Sequence, residues 1–166
     1  MRVLERCTLF FQKRDALSNW YPCRFTYKGI EFNCVEQFMM YCKAKLFKSE
    51  TLAGQILIAT KPEVQKQMGR HVANFDKAIW DSKCRGYVKI GCREKFLQNP
   101  KLMEILLQAR GPIAEASPHD MIWGIGLSKN DPRAENPDYW IGENRLGKIL
   151  TELRDEFLEE KLTDHH

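Results

Sequence analysis

The chain has 166 residues, the usual size of one globular domain and enough to bury a substantial core. Apolar residues make up 43% and charged residues 29%, a balance typical of soluble globular proteins. No apolar run reaches the length that a membrane span requires, so we expect no membrane-spanning helix. The formal net charge of +4 permits an anionic ligand or nucleic acid without requiring either. We predict one domain over residues 1–166.

The first residues and the cysteines indicate where the protein works. Charged residues interrupt the apolar stretch at the N-terminus, so we expect no export signal and a cytoplasmic location. No two cysteines have the C-x-x-C spacing of zinc and redox motifs. We predict reduced thiols, several of them buried, with no metal site and no disulfide framework. The cysteines are Cys7, Cys23, Cys34, Cys42, Cys84 and Cys92.

Short strands are expected near the N-terminus. The run Cys7–Phe11 is apolar and aromatic, which indicates a first strand. In 24–33, two strand-like runs flank the pair Lys28 and Gly29, which is the pattern of a hairpin. The turn-rich aromatic segment before it contains Asn19, which either satisfies its own backbone or faces a ligand.

Most of the remaining chain has helical periodicity. Pro62 fits the first position of one helix, and Asn74 and Asn144 fit the N-caps of two others. The predicted helices are 34–47, 51–59, 62–69, 75–97, 99–109 and 144–158. The residues at inward spacing in the last helix are Leu146, Ile149, Leu150, Leu153 and Phe157. We predict an α+β fold: a mainly helical, compact single domain with a small antiparallel or mixed sheet from the N-terminal strands.

Known nucleotide-binding folds do not fit this pattern. The chain shows no β-α-β alternation, no GxGxxG motif and no Walker-type loop. A Rossmann or P-loop nucleotide enzyme is therefore not expected.

The stretch Gly111–Leu127 concentrates two carboxylates, a histidine, a tryptophan and several prolines and glycines. Such frequent backbone punctuation favours a shaped loop, in which residues 112–117 are compatible with a short strand. Asp120 and Trp123 are then candidates for a functional site, since chemistry tends to lie on structured loops. The alternative is a helix start, with Ser117 as N-cap and Asp120 in the first turn. The residues of this stretch do not decide between the two interpretations.

The first predicted helix carries a second candidate group. Glu36, Met40 and Lys43 lie at positions i, i+4 and i+7, so they share one face of that helix. A carboxylate and an amine on one face suit a catalytic or binding role. The alternative is a solvated face with ordinary charges, which is the usual case for such pairs.

Separated segments of the chain, taken in order, resemble one known family. The segments are Leu17–Pro22, Glu36–Phe38 with Lys43 and Ala44, Met68–Arg70, Trp80, Glu115–Gly126, Gly142–Gly147, and Leu153 with Arg154. In this order they resemble the NADAR, or YbiA-like, family of N-glycosidases over about residues 8–157. The resemblance implies a compact, mainly helical α+β fold, hydrolysis of N-glycosidic bonds to ribose, and no cofactor or metal.

Two substrate classes accompany this resemblance. One is ADP-ribose attached to the amino group of guanine in nucleic acid by ADP-ribosyltransferase toxins. The other is a phosphoribosylated intermediate of riboflavin biosynthesis. We predict the first class, with ADP-ribosylated DNA as substrate and a cognate ADP-ribosyltransferase toxin as partner. A non-catalytic module that binds ADP-ribose is the third hypothesis.

The resemblance also shifts several residues from structural to functional candidates. The predicted catalytic residues are Glu36, Lys43 and Asp120. The predicted substrate-binding residues are Asn19, Trp20, Glu115, Ser117, Trp123, Gly124, Gly126, Asn144 and Arg145. Cleavage of a ribose C–N bond needs a carboxylate beside the developing cation and an acid at the departing nitrogen. Glu36 and Asp120 are candidates for these roles in either order, while Lys43 either forms a Schiff base with the opened ribose or grips a phosphate.

Overall fold

The strands of this protein are short and the helices carry most of the chain. The computed structural model describes residues 1–164. The strands are β1 (Arg2–Val3), β2 (Thr8–Phe10), β3 (Phe25–Tyr27), β4 (Ile30–Phe32) and β5 (Ile113–Glu115). The helices are α1 (Val35–Leu46), α2 (Glu50–Ile58), α3 (Pro62–Gly69), α4 (Lys77–Leu97), α5 (Pro100–Leu107) and α6 (Arg145–Thr163). Two short 3₁₀ helices, Pro132–Glu135 and Pro137–Tyr139, lie between β5 and α6. The predicted α+β class, mainly helical with a small sheet, is confirmed.

The chain divides into two units, each held together by its own internal packing. The terminal unit comprises Met1–Ser18 and the chain from Pro100 onwards, and the central unit comprises Asn19–Asn99. Each unit has its own sheet: β1, β2 and β5 in the terminal unit, β3 and β4 in the central unit.

The terminal unit is built around a mixed sheet. β1 pairs antiparallel with β2, and β2 pairs parallel with β5, with Thr8 opposite Ile113. The loop after β5 folds over this sheet. Together the sheet and the loop enclose a buried core cluster of Cys7, Leu9, Ala114, Ala116, Ile125, Leu127 and Ala134. Helix α6 packs on β5 with the apolar face that its spacing predicts, since Leu146, Ile149, Leu150, Leu153 and Phe157 are all buried. It ends at Thr163, five residues later than predicted, because its polar last turns still form regular helix.

The central unit packs α1 against α2, α3 and α4, with the predicted hairpin at one end. Lys28 and Gly29 both have positive φ, at 51° and 80°, as a tight two-residue hairpin turn requires. The hairpin presents Phe25 and Phe32 to Phe38 of α1, with ring centroids 5.9 and 5.0 Å from that of Phe38. These rings fix the direction of α1 and therefore of the side chains it carries.

Two candidate helix starts, one predicted and one left open as an alternative, are not found at the expected residues. Helix α4 begins at Lys77, where the Oδ1 atom of Asp76 accepts a hydrogen bond from the Ile79 amide at 3.1 Å. Asn74 lies two residues earlier in a left-handed turn with φ of 58°, because a carboxylate closer to the apolar run takes the cap. The second is the start proposed at Ser117, since the chain forms turns and bends there.

Two chain-wide properties complete the description. The six cysteines are free thiols. Among residues 1–164, no helix is long and apolar enough to cross a membrane.

Candidate functional site

The predicted site residues fall into two groups, one in each unit. The α1 group comprises Glu36 and Lys43 with the residues around them in the central unit. The loop group comprises the candidates between Glu115 and Arg145 in the terminal unit. Each group is described by itself.

The shared face of α1 is buried. Glu36 is 7% exposed and Met40 is 6% exposed, while Lys43 is half-buried. A carboxylate at this depth is uncommon, because burial removes its hydration. The alternative of an ordinary solvated face is therefore wrong.

Asn19 holds the start of α1. Its backbone carbonyl accepts a hydrogen bond from the Glu36 amide at 3.0 Å, and its Oδ1 atom accepts one from the Cys92 thiol at 3.7 Å. The Sγ atom of Cys34 accepts a hydrogen bond from the Gln37 amide at 3.4 Å and so caps the same helix. Two of the amides that every helix leaves unsatisfied at its start are thus occupied. This cap fixes the backbone of Glu36 at the start of α1.

Lys43 lies against aromatic rings. Its Nζ atom is 4.6 Å from the centroid of the Phe75 ring and 5.6 Å from that of Trp80. Burial lowers the pKa of Lys43, the carboxylate of Glu36 acts in the opposite direction, and the guanidinium of Arg70 lowers the pKa further.

Other residues of the family segments hold the helices of the central unit together. The Nε2 atom of Gln37 donates to the carbonyl of Ile56 at 3.0 Å, which ties α1 to the end of α2. Gly69 of α3 lies against Met40, and a Cβ atom there would be 2.1 Å from the Met40 sulfur. Trp20 is partly buried, with the ammonium group of Lys66 5.7 Å from its ring centroid.

In the loop group, Asp120 organises a turn. Its Oδ1 atom accepts hydrogen bonds from the amides of Ile122 at 3.0 Å and Trp123 at 2.8 Å. These bonds are those of a capping carboxylate, although no helix follows. The sequence alternatives of cap and site candidate are compatible, because the capping bonds fix where Trp123 points.

The same turn satisfies the start of α6. The carbonyls of Ile122 and Trp123 accept hydrogen bonds from the amides of Arg145 at 3.0 Å and Leu146 at 3.2 Å. The guanidinium of Arg145 lies 5.9 Å from the Trp123 ring centroid, and its Nε atom forms a 2.7 Å ion pair with Glu143. Trp123 and Arg145 therefore form one partly buried surface, in which a guanidinium paired with Glu143 lies beside an aromatic ring.

Asn144 joins β5 to α6. It is 4% exposed and adopts left-handed backbone angles, with φ of 53°. Its Nδ2 atom donates to the carbonyl of Ile113 at 2.9 Å, and its Oδ1 atom accepts from the amide of Glu115 at 3.3 Å. The prediction that its side chain caps α6 is wrong, because the β5 backbone takes both ends of the amide.

The remaining loop candidates shape the backbone. Glu115 is partly buried and its Oε2 atom is enclosed by protein. Gly124 is buried where a Cβ atom would come within 2.9 Å of the Glu115 carbonyl oxygen, so only glycine fits without movement. Gly126 needs its positive φ of 72°. Ser117 is partly buried beside Gly124.

Three residues of the α1 group were not among the predicted site residues. Trp80 and Arg70 entered the sequence argument only as parts of the family segments, and Phe75 only as a helix start. They surround Lys43, but no spacing rule links them to a lysine so far away in the chain. Among residues 1–164, no three His, Cys, Asp or Glu side chains are grouped so that they could hold a metal ion.

Comparison with known proteins identifies the family. The NADAR domain model matches residues 9–158. The chain belongs to the NADAR domain family. This confirms the resemblance that the separated segments indicated.

Individual relatives agree with this assignment. The chain is 41% identical over 145 residues to the N-glycosidase R617 of Acanthamoeba polyphaga mimivirus, covering 84% of this chain and 85% of that one. It is 37% identical over 165 residues to the protein irg-1 of Caenorhabditis elegans, covering 89% and 78%. The NMR structure of the Escherichia coli protein YbiA matches with a TM-score of 0.78 at 26% identity, covering 100% of this chain and 94% of that chain.

Proposed function

We propose that this NADAR protein is an N-glycoside hydrolase that removes ADP-ribose from guanine bases of nucleic acid. Its similarity to proteins named N-glycosidase supports a hydrolase that acts on N-glycosyl bonds. The identity of the leaving base and the ADP-ribosyl group are parts of our proposal. An ADP-ribosyltransferase toxin that creates the modified base is the partner that this activity implies.

The observation that carries the proposal is the buried carboxylate of Glu36 on the same helix face as Lys43. When the C–N bond to ribose breaks, its electron pair leaves with nitrogen and positive charge develops at the anomeric carbon. A carboxylate in a poorly hydrated environment stabilises that cation more strongly than one in water. Glu36 is therefore our candidate for this role.

Lys43 is our candidate for the group that interacts with the opposite charge. Its lowered pKa makes its ammonium a better proton donor than an ordinary lysine, which suits protonation of the departing nitrogen. The same lowered pKa leaves more free amine at neutral pH, which would permit attack on an opened ribose aldehyde. We favour a role in proton donation or ribose and phosphate binding over the covalent route, since it needs no ring opening.

The loop group supplies binding roles in this proposal. The face of Trp123, with the Arg145 guanidinium beside it, suits stacking on a base and attraction of a phosphate. Asp120 then acts as a positioning residue, because its Oδ1 atom holds the Trp123 amide. A water molecule adds to the anomeric carbon and gives up a proton, which completes the hydrolysis.

The test offers the protein two substrates in one assay, ADP-ribosylated DNA and a phosphoribosylated riboflavin intermediate. The protein is incubated with single-stranded DNA that carries ADP-ribosyl guanine, since an enzyme reaches a base only in unpaired or flipped form. Release of free ADP-ribose and recovery of unmodified guanine, both measured by mass spectrometry, are expected. The control is Glu36→Gln, for which we expect a loss of about 10²-fold or more, the size of one catalytic group. If the wild type released no ADP-ribose, the proposal would be refuted.

A second candidate is an N-glycosidase that acts on phosphoribosylated riboflavin intermediates, which form the second substrate of the assay. It is favoured by 28% identity over 161 residues to the riboflavin biosynthesis protein VVA0006 of Vibrio vulnificus, although that match covers only 40% of the Vibrio protein. Release of ribose 5-phosphate from a phosphoribosylaminopyrimidine, with none of ADP-ribose from modified DNA, would select it. If the wild type binds ADP-ribose and turns over neither substrate, a non-catalytic reader is selected instead.

A further inference from the structure

Helix α4 carries a concentration of positive charge. The helix has six Lys or Arg residues and two acidic residues, so its formal charge of +4 equals that of the whole chain, which has 26 basic and 22 acidic residues. The rest of the chain is therefore formally neutral. The mild basicity of this protein is a local property of one helix.

Within α4, the charge is concentrated further in residues 82–93, which we call the basic run. Its cations are Lys83, Arg85, Lys89 and Arg93, and it contains no acidic residue. Lys83 and Arg85 are exposed, whereas Lys89 and Arg93 are half-buried. The run covers about three turns, or about 16 Å along the helix axis. That length matches several successive phosphates of a nucleic-acid strand.

The acids of α4 lie outside the basic run. Asp81 forms an ion pair with Lys77 at 2.7 Å, and Glu94 accepts a hydrogen bond from Gln98 at 2.6 Å. Gly86, which lies between Arg85 and Lys89, is exposed, and a Cβ atom there would have no neighbour within 4 Å. A phosphodiester backbone can therefore approach the helix closely between positively charged side chains.

We propose that the basic run of α4 binds the phosphate backbone of the single-stranded DNA that carries the modified base. The proposal deepens the function proposed above and relies on it for the identity of the strand. The occupant follows from charge complementarity, since Arg85, Lys89 and Arg93 lie four residues apart along one stripe of the helix, with Lys83 on another side, and such a row of cations fits a polyanion. The same helix carries Trp80 on its buried side, next to Lys43. Binding along α4 would thus hold the strand to the unit that contains the α1 group.

The experiment measures binding of an unmodified, fluorescently labelled single-stranded oligonucleotide by anisotropy at several KCl concentrations. The test variant is Lys83→Gln with Arg85→Gln, which removes two exposed cations and introduces no repulsion. The matched control is Lys101→Gln with Lys161→Gln, which removes two exposed lysines from α5 and α6. We expect affinity to fall about 10-fold or more at low salt in the test variant only. The slope of log affinity against log salt should also become shallower by about 0.7 for each phosphate that the variant no longer neutralises.

Several results would overturn the proposal. They are equal affinity and slope in test and control variants, or no binding of DNA by the wild type. A third is a test variant that loses affinity for vesicles of anionic phospholipid, titrated in parallel, but keeps its affinity for DNA. Turnover separates this proposal from the proposed function. A wild type that binds DNA through α4 but releases no ADP-ribose refutes the function alone. If the wild type releases ADP-ribose and the test variant keeps full affinity for DNA, only the proposal that α4 binds DNA is refuted.

Discussion

The ammonium group of Lys43 lies 4.6 Å from the centre of the Phe75 ring, and Phe75 itself is 45% exposed. The lysine is thus held against an aromatic ring at the surface, on the same helix face as the buried carboxylate of Glu36. A ring face attracts a cation without accepting its proton, so it can hold the ammonium and leave its protons available for transfer. This arrangement distinguishes Lys43 from Lys45, the exposed lysine of the same helix.

The role of Lys43 can be tested against that neighbour. Lys43→Met keeps most of the length of the side chain and removes its amine, and we expect turnover to fall by about 10²–10⁴-fold. The matched control is Lys45→Met, where the exposed lysine forms an ion pair with Glu50 at 2.6 Å. Such solvent-exposed pairs contribute little to stability, so the control should keep its activity and nearly all its stability. Equal rates in both variants would refute a catalytic role for Lys43.

The pKa of Lys43 also predicts a dependence of stability on pH. Burial lowers this pKa below its usual value of 10.5, so the unfolded state binds the proton more tightly than the folded state. The contribution of Lys43 to the free energy of unfolding should therefore rise with pH between the lowered pKa and 10.5. Urea unfolding of the wild type and of Lys43→Met at several pH values isolates this contribution as the difference between the two proteins. A difference that stays constant or falls with rising pH would contradict the direction stated here.

Asp120 is predicted to act through the turn that it caps. Removing both backbone hydrogen bonds with Asp120→Ala should lower the free energy of unfolding by about 1 kcal/mol and impair activity through Trp123. Asp120→Asn keeps an oxygen at the capping position and should retain stability and activity within about 10-fold, since asparagine caps as well as aspartate. Unfolding curves and turnover are measured for both variants. An Asp120→Asn protein with full stability and no activity would show instead that the charge itself is required.

Gly147 provides a test of how closely α6 approaches β5. A Cβ atom at this position would lie 2.1 Å from the Ile113 carbonyl oxygen and 2.3 Å from the Asn144 Oδ1 atom. We expect Gly147→Ala to lower the free energy of unfolding by about 2 kcal/mol, because a backbone and a buried amide must both move. Gly54→Ala in α2 is the control, since no atom lies within 4 Å of its Cβ position. That control should gain roughly 0.5–1 kcal/mol from helix propensity. Similar effects in both variants would contradict the close approach.

Local signals predicted the elements whose ends are determined by single residues. Pro62 starts α3 as expected, because its ring presets the first helical φ and its missing amide has no cost there. The Lys28 and Gly29 pair marked the hairpin, since glycine readily takes the positive φ that this turn needs. By contrast, the two-residue strand β1 carries too little periodicity to be recognised, and it forms only because β2 offers it an edge.

Tertiary packing determined the side-chain surroundings that local sequence patterns did not predict. Asn144 was expected to cap α6 like other asparagines before helices, but the β5 backbone offered its amide two partners elsewhere. Asp120 caps a turn whose existence depends on α6 lying beside it. For Lys43, helical spacing predicted its proximity to Glu36, whereas the rings of Phe75 and Trp80 reach it only through folding of α4. Local propensity therefore located the candidates, and long-range packing determined their surroundings.

The thiol that caps α1 offers a way to follow the opening of this helix over time. Burial raises the pKa of Cys34 and of Cys92 to about 12, so at neutral pH only about one thiol in 10⁵ is ionised and reactive. A thiol-labelling reagent can then modify either cysteine at an appreciable rate only in molecules whose local structure has opened, so that Cys34 separates from Gln65 and Gln37, or Cys92 from Asn19. The labelling rate of Cys34 then reports how often the start of α1 unfolds locally next to Glu36, and it can be measured without any substrate.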